Sequence, residues 1–342
     1  MGANSLEVAE FLARSAGLPL VDVRSPAEYR HAHIPTALNL PLFSDEERAQ
    51  VGTLYKQRGK KAAVLKGLEI TGPKMRSFVE QAETLNKASL AVYCWRGGMR
   101  SESMAWLLQQ YGFECHVLKG GYKAYRRHLR TFFEQDLPLT VLTGYTGSKK
   151  TALLHLLQQK GEQVIDLEGL AGHQGSSFGN QKCQQQPSTE HFQNLLFEAF
   201  RQLDLSRPIW IEDESMRIGQ VDLPEALFRQ MSRKPHVFLE IDKAQRIDFL
   251  LLDYKSLSKE QLITATRAIS KKLGYDKATE AIWHIEAGQL RQAAEIILTY
   301  YDKSYYQSIS RKQHLIQAHY HIDMDQLEDL AETLVNTQRH VL

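Results

Sequence analysis

The chain has 342 residues, 43% of them apolar and 24% charged, with a formal charge of +2. That length buries a sizeable core and suffices for two domains, and the near balance of charge excludes a protein that coats nucleic acid by charge alone. The cysteines, Cys94, Cys115 and Cys183, stand far apart with no CxxC pair, which excludes a disulfide framework and a cysteine-rich zinc site.

The first thirty residues carry Glu7, Glu10, Arg14, Asp22 and Arg24 and hold no apolar run long enough for a signal peptide or a membrane span, so the expected compartment is the cytoplasm, without a membrane partner. The opening Met-Gly is not read as a myristoylation signal, because Leu6 stands where that motif wants Ser or Thr. Up to about residue 130, short β-rich runs alternate with helical ones. "LPLVDVR" and "SLAVYC" read as buried strands, and "SESMAWLLQQYG" reads as a helix closed by Gly112. "FECHVLKGG" is a further strand ending in a glycine turn, so the segment predicts a parallel sheet covered by helices over residues 1–132. "YKQRGKK" (Tyr55 to Lys61) and "YKAYRRHLR" (Tyr122 to Arg130) are basic; the plain reading is a solvated loop and a surface helix.

Inside this segment "VYCWRGGMRSES" places Cys94 at the end of an apolar run and just before a helix start. A thiol reacts as its thiolate, which backbone N–H groups, a helix N-terminus and arginine favour. Gly97 and Gly98 permit a tight curl and close approach to an anion, Arg96 and Arg100 supply charge, and Ser101 stands where the loop enters the helix. The spacing is C-x5-R-S, which sulfur-transfer enzymes and cysteine phosphatases share.

Past Pro138 a second unit opens with "LPLTVLTGYTGSKKTALLHLLQQKG", a strand, a loop and a helix. Gly144, Lys150 and Thr151 match the phosphate-binding pattern G-x-x-x-x-G-K-[ST], whose second glycine is here Lys149; Gly147 and Ser148 keep the loop small. If that position needs positive φ, the lysine costs on the order of 1 kcal/mol. A second strand leads into "DLEGLAGHQGSSFG", where Asp166, Glu168, His173, Ser176 and Ser177 form a polar loop read as a substrate pocket. "RPIWIEDES" ends a third strand in acids, of which Asp213 is the candidate to assist a magnesium ion together with Thr151. "HVFLEID" is a fourth strand, which makes residues 138–243 an α/β domain of P-loop type. From Ala244 to residue 342 the pattern is helical, a region expected to pack on the P-loop domain.

In "DVRSPAEY", "HAHIPTALNLP" and "CWRGGMRS" the N-terminal segment resembles the rhodanese family, and the resemblance implies that Cys94 carries a terminal sulfur or selenium atom as a persulfide or perselenide. Asp22 and Arg24 are read as bracing the loop, and Glu28, Tyr29 and His33 as structural. The union of that segment with a P-loop unit carrying "DLEGLAGHQGSSFG", "QPSTEHF" and "IEDESMRIG" resembles the bacterial tRNA 2-selenouridine synthases, with Lys149 and Gln174 as departures. The resemblance implies two steps at the wobble uridine of tRNAs for Lys, Glu and Gln: geranylation of the 2-thiouridine sulfur by geranyl diphosphate, then displacement of the geranylthiol by selenium from selenophosphate. It implies further that Cys94, with Arg96, Arg100 and the loop N–H groups, carries selenium. Ser148, Lys149, Lys150 and Thr151 would bind the diphosphate, and the anticodon arm of tRNA is the expected macromolecular partner of a monomer. A sulfurtransferase fused to a nucleotide-dependent kinase or ATPase, a C-x5-R phosphatase, and a non-catalytic tRNA-binding module are the rival readings.

Overall fold

A computed structural model describes residues 4–173 and 186–339. The chain divides into two compact units, residues 1–132 and 133–342.

The first unit is a five-stranded, wholly parallel sheet. Its strands are β1 (Asn4–Leu6), β2 (Leu20–Asp22), β3 (Leu38–Asn39), β4 (Ser89–Tyr93) and β5 (Glu114–Leu118), in the order β1-β5-β4-β2-β3. The register sets Val21 beside Val92 and Ala91 beside His116, so the central strand β4 is buried on both faces. That is why "SLAVYC" is a continuous apolar run rather than an alternating one. Val21, Val92, Val117, Phe78, Met104 and Leu108 join in one buried cluster between sheet and helices. The helix Met99–Tyr111 packs on β5 and ends at Gly112, whose φ of 119° makes it a left-handed C-cap. The basic segment from Tyr55 to Lys61 is exposed, but it lies within the helix Asp45–Thr71, which is interrupted at Gly59 (φ 79°). The helix Gly121–Phe132 buries Tyr122, Tyr125 and Leu129 along one side, so "YKAYRRHLR" is amphipathic.

The second unit holds another parallel sheet, built from β6 (Leu139–Gly144), β7 (Gln163–Ile165), β8 (Ile209–Glu212), β11 (His236–Glu240) and β12 (Ile316–His321) in the order β12-β11-β6-β8-β7. Between β8 and β11, the short β9 (Arg217–Ile218) and β10 (Val221–Asp222) pair antiparallel. The expectation of helix throughout the C-terminal region holds through Lys312 and then gives way. Ile316–His321 returns to the sheet beside β11, and the helix Leu327–Arg339 packs on the helix Lys150–Gln159. Leu142, Leu153, Trp210, Leu239, Leu330 and Leu334 share one core cluster, so the C-terminus closes the sheet's apolar face instead of standing apart from it. Strand β6 lies between β11 and β8, which places the turn after it at the carboxyl edge of the sheet, where open α/β sheets bind ligands.

Candidate functional site

Cys94 follows β4 directly and is 3% exposed. Its Sγ accepts a hydrogen bond from Ser101 Oγ at 3.2 Å, and Ser101 Oγ also lies 3.1 Å from the Gly98 carbonyl, so the hydroxyl ties the thiol to the first turn of the helix Met99–Tyr111. Gly98 is the N-cap of that helix, so the loop ends on the positive end of a helix dipole. The loop is docked from behind by the second glycine turn: Tyr122 and Lys123 donate their N–H groups to the carbonyls of Cys94 (2.8 Å) and Trp95 (3.0 Å). Gly97 has φ 62°, and a Cβ there would lie 2.3 Å from the Leu118 carbonyl oxygen and 2.7 Å from the Gly121 nitrogen. The two glycine turns therefore approach backbone to backbone. Gly98, at φ −117°, has open space where a Cβ would be, so it serves as a cap and not as a close contact.

Asp22 and Arg24 form a buried ion pair, 0% and 1% exposed, with Arg24 Nη2 2.6 Å from Asp22 Oδ2. The guanidinium also donates to the Ala32 carbonyl at 2.7 Å and lies over the Tyr122 ring at 4.1 Å. Burial alone would lower the Arg24 pKa; the hydrogen bond and charge of Asp22 outweigh it and raise the value. The pair thus joins the end of β2 to the ring behind the cysteine loop. Arg100, the arginine of the C-x5-R spacing, donates from Nη1 to Glu28 Oε2 at 2.8 Å. Burial pushes the Glu28 carboxyl up, but Arg100 by charge and hydrogen bond holds it below its ordinary value. Glu28, read as structural in the sequence, is therefore the partner of the loop arginine, whereas Arg96 is exposed. Burial pushes the Cys115 thiol up to about 12, which keeps it protonated and unreactive.

In the second unit the loop after β6 curls before the helix Lys150–Gln159. Lys149 has φ 55° and ψ 31°, so the position does need the left-handed conformation, and a lysine takes it. Its Nζ lies 5.1 Å from the Phe249 ring centre. Lys150 Nζ turns back over the loop to the Gly144 carbonyl at 3.1 Å, and Ser148 Oγ is buried without a partner. Behind the loop, Arg246 is 4% exposed; it donates to the Thr146 carbonyl at 3.0 Å and holds Asp302 at 2.8 and 3.0 Å. Nothing in the local sequence marks Arg246 as a brace, since its targets lie 56 and 100 residues away.

The carboxylates around Thr151 differ from the expectation. Thr151 Oγ1 lies 3.3 Å from Glu168 Oε2 and 3.2 Å from Glu212 Oε2, and Glu212 Oε1 accepts the Glu168 N–H at 2.8 Å. Asp213, the expected partner of Thr151, instead accepts from Thr143 Oγ1 at 2.9 Å and pairs with Lys312 at 2.6 Å. Successive side chains of a strand point to opposite faces, so only one of two neighbouring acids can reach the loop. Burial first, then the charge of Glu168, pushes Glu212 up to about 8. A protonated Glu212 also resolves the contact at Thr151, whose single hydroxyl hydrogen cannot serve both carboxylates. Burial and the charges of Glu168 and Glu212 likewise raise Glu214 well above its usual range.

Lys149, Lys150, Thr151, Asp166, Glu168, His173 and Glu214 line one cleft with Tyr305 on its wall. Asp166 caps the helix Leu167–Ala171 through the Gly169 N–H at 2.7 Å and faces His155 at 2.9 Å; His173 is 6% exposed. Ser176, Ser177 and Gln174 lie outside the described residues, as does Cys183.

The model of the tRNA 2-selenouridine synthase AAA domain matches residues 137–337, and that of the rhodanese-like domain matches residues 7–128. The chain belongs to the tRNA 2-selenouridine synthase family. The family member of Psychromonas ingrahamii is 31% identical over 332 residues, which cover 87% of this chain and 90% of that protein. That of Shewanella denitrificans is 33% identical over 333 residues, 86% and 89% of the two chains. The tRNA 2-selenouridine synthase of Nitrosomonas europaea is 38% identical over 248 residues, which cover 70% of this chain and 64% of that protein. Both sites described above fall within the matched domains of the family. Among the described residues no helix is long and apolar enough to cross a membrane.

Proposed function

We propose that this family member converts the wobble 2-thiouridine of tRNAs for Lys, Glu and Gln to 2-selenouridine in two steps divided between its two loops. In the first, the thiocarbonyl sulfur attacks C1 of geranyl diphosphate; a C–S bond forms, the C–O bond breaks, diphosphate leaves and the uridine N3 proton passes to water. Lys150, the buried Ser148 hydroxyl and the loop N–H groups receive the departing charge. In the second, the selenium of selenophosphate, bound in the Cys94 loop and kept at the selenide level, forms a bond to C2 and expels geranylthiolate, after which water cleaves the Se–P bond and carries the phosphoryl group away as phosphate. Sulfur on C2 is a poor leaving group until alkylated, which gives the first step its purpose.

A magnesium ion fits the donors Thr151, Glu168 and Glu212, hard oxygens that take such a cation on release of the Glu212 proton. Among the described residues no group of three or more His, Cys, Asp and Glu side chains could hold a metal by itself. When bound, the magnesium ion would neutralise charge on the leaving diphosphate. Asp213, engaged by Thr143 and Lys312, is assigned a positioning role.

The observation that carries the proposal is one chain holding two anion cradles of different chemistry, one ending on a thiol and the other on an ammonium group. The test is mass spectrometry of nucleosides from thiolated tRNA incubated with the protein, geranyl diphosphate and selenophosphate. Cys94→Ser should still yield geranylthiouridine and no selenouridine, and Lys150→Ala should yield neither. Selenation by Cys94→Ser, or unchanged geranylation by Lys150→Ala, would remove the corresponding loop from the mechanism.

A further inference from the structure

The run "YKQRGKK" in the first unit carries Lys56, Arg58, Lys60 and Lys61 and no acid. All four are exposed, and among the described residues none is held by a carboxylate, whereas the lysines that follow are: Lys66 by Glu69 and Lys74 by Glu47. The helix Asp45–Thr71 breaks in their midst at Gly59, which is exposed and has nothing within 4 Å of where a Cβ would lie. Like charges crowded without a counter-ion repel one another, a cost that a polyanion removes.

Beside this run a groove of about 200 Å³ is lined by Phe43, Tyr55, Leu68 and Met99 together with Lys60 and Arg100. Its volume exceeds the ~150 Å³ that holds one benzene ring, so a single pyrimidine ring fits. Tyr55 is 58% exposed, and Leu68 and Met99 are exposed as well. Arg100 is the arginine that meets Glu28, and Ser101, next in the chain, bonds the Cys94 thiol. The groove therefore adjoins the cysteine loop.

From this juxtaposition we infer that the segment from Tyr55 to Lys61 is an RNA-binding surface. Lys56, Arg58, Lys60 and Lys61 hold backbone phosphates of the anticodon loop, and an unpaired base next to the one presented to Cys94 enters the groove and stacks on Tyr55. An aromatic ring with aliphatic neighbours accepts the face of a base without requiring hydrogen bonds, and adjacent cations suit the phosphates of a single strand. An anionic lipid surface offers the same charge but no ring to fill the groove. The inference rests on the proposed selenium transfer at Cys94 and assigns the grip on RNA for that step.

The test measures binding of the full chain to a thiolated anticodon stem-loop RNA at several salt concentrations, beside a fully paired RNA duplex and phosphatidylserine vesicles. Replacing Lys56, Arg58, Lys60 and Lys61 together by alanine should weaken stem-loop binding about tenfold or more at low salt and lower the slope of log K against log salt by about 2–3. Lys60→Ala with Lys61→Ala should weaken it more than Lys271→Ala with Lys272→Ala, an exposed pair in the second unit. Tyr55→Ala should weaken the stem-loop about tenfold and the duplex less than about twofold, and Tyr55→Phe should bind as the wild type does. An unchanged slope, equal losses from the two lysine pairs, equal losses of stem-loop and duplex in Tyr55→Ala, or tighter binding to vesicles than to RNA overturns the inference. Cys94→Ser should bind the stem-loop as the wild type does. If the wild-type chain forms no selenouridine, the proposed reaction falls, and the surface is still judged by these affinities.

Discussion

Replacing each glycine of "RGG" by alanine tests whether the cysteine loop is built by backbone contact. At Gly97 the φ of 62° costs an alanine about 1–2 kcal/mol. The new Cβ would also sit 2.3, 2.6 and 2.7 Å from the Leu118 oxygen and the nitrogens of Gly120 and Gly121. All three are backbone atoms tied to β5 and to the start of the helix Gly121–Phe132, so no side chain can swing aside. Relieving such an overlap by shifting backbone adds about 1–3 kcal/mol, for a total near 2–5 kcal/mol. At Gly98 the φ is −117° and nothing lies within 4 Å, so alanine loses only the cap preference, about 1 kcal/mol. Urea unfolding followed by the fluorescence of Trp95 and Trp106 separates the two. Gly97→Ala should lower the midpoint of the first unit sharply and Gly98→Ala slightly; equal effects would refute the backbone-docking account.

Asp22→Asn leaves the Arg24 guanidinium buried without its counter-charge and should cost the first unit about 3–5 kcal/mol in urea unfolding; a loss below 1 kcal/mol would show that the pair is dispensable. Glu212 titrates near 8 in the folded chain and near 4.5 when unfolded, so between those values the unfolded state releases a proton that the folded state keeps. Stability of the second unit should therefore fall as pH rises from about 5 to 8, and Glu212→Gln should flatten that decline in thermal melts taken across the range. Lys149→Gly removes a left-handed lysine and should stabilise the second unit by about 0.5–1 kcal/mol. Calorimetry with inorganic diphosphate should show a smaller loss of affinity for Lys149→Gly than for Lys150→Ala, and the reverse order would make Lys149 the principal phosphate ligand.

The thiol loop and the phosphate loop were legible in the sequence because each is a contiguous strand, turn and helix start, whose small residues and cations answer to local backbone geometry. The need for a left-handed residue at Lys149 was foreseeable from the same pattern. The partners of those loops were not legible. Glu28 meets Arg100 across 72 residues, Arg246 meets Thr146 across 100, and Lys312 meets Asp213 across 99. In "WIEDES" the sequence offers three adjacent acids, and which of them faces Thr151 depends on the phase in which β8 pairs with β6. The strand Ile316–His321 also escaped notice, since its burial alternates between half-buried and exposed and its identity depends on the open edge of β11.

Sequence alone thus determined the two chemistries, a thiol at a helix start and an ammonium in a phosphate loop, because both are local properties of a turn. Tertiary structure decided which carboxylates stand beside the phosphate loop, which arginine braces it and where a groove opens next to the cysteine loop. These follow from packing between distant segments, whose register and side-chain direction are fixed only when the sheets and helices close on one another.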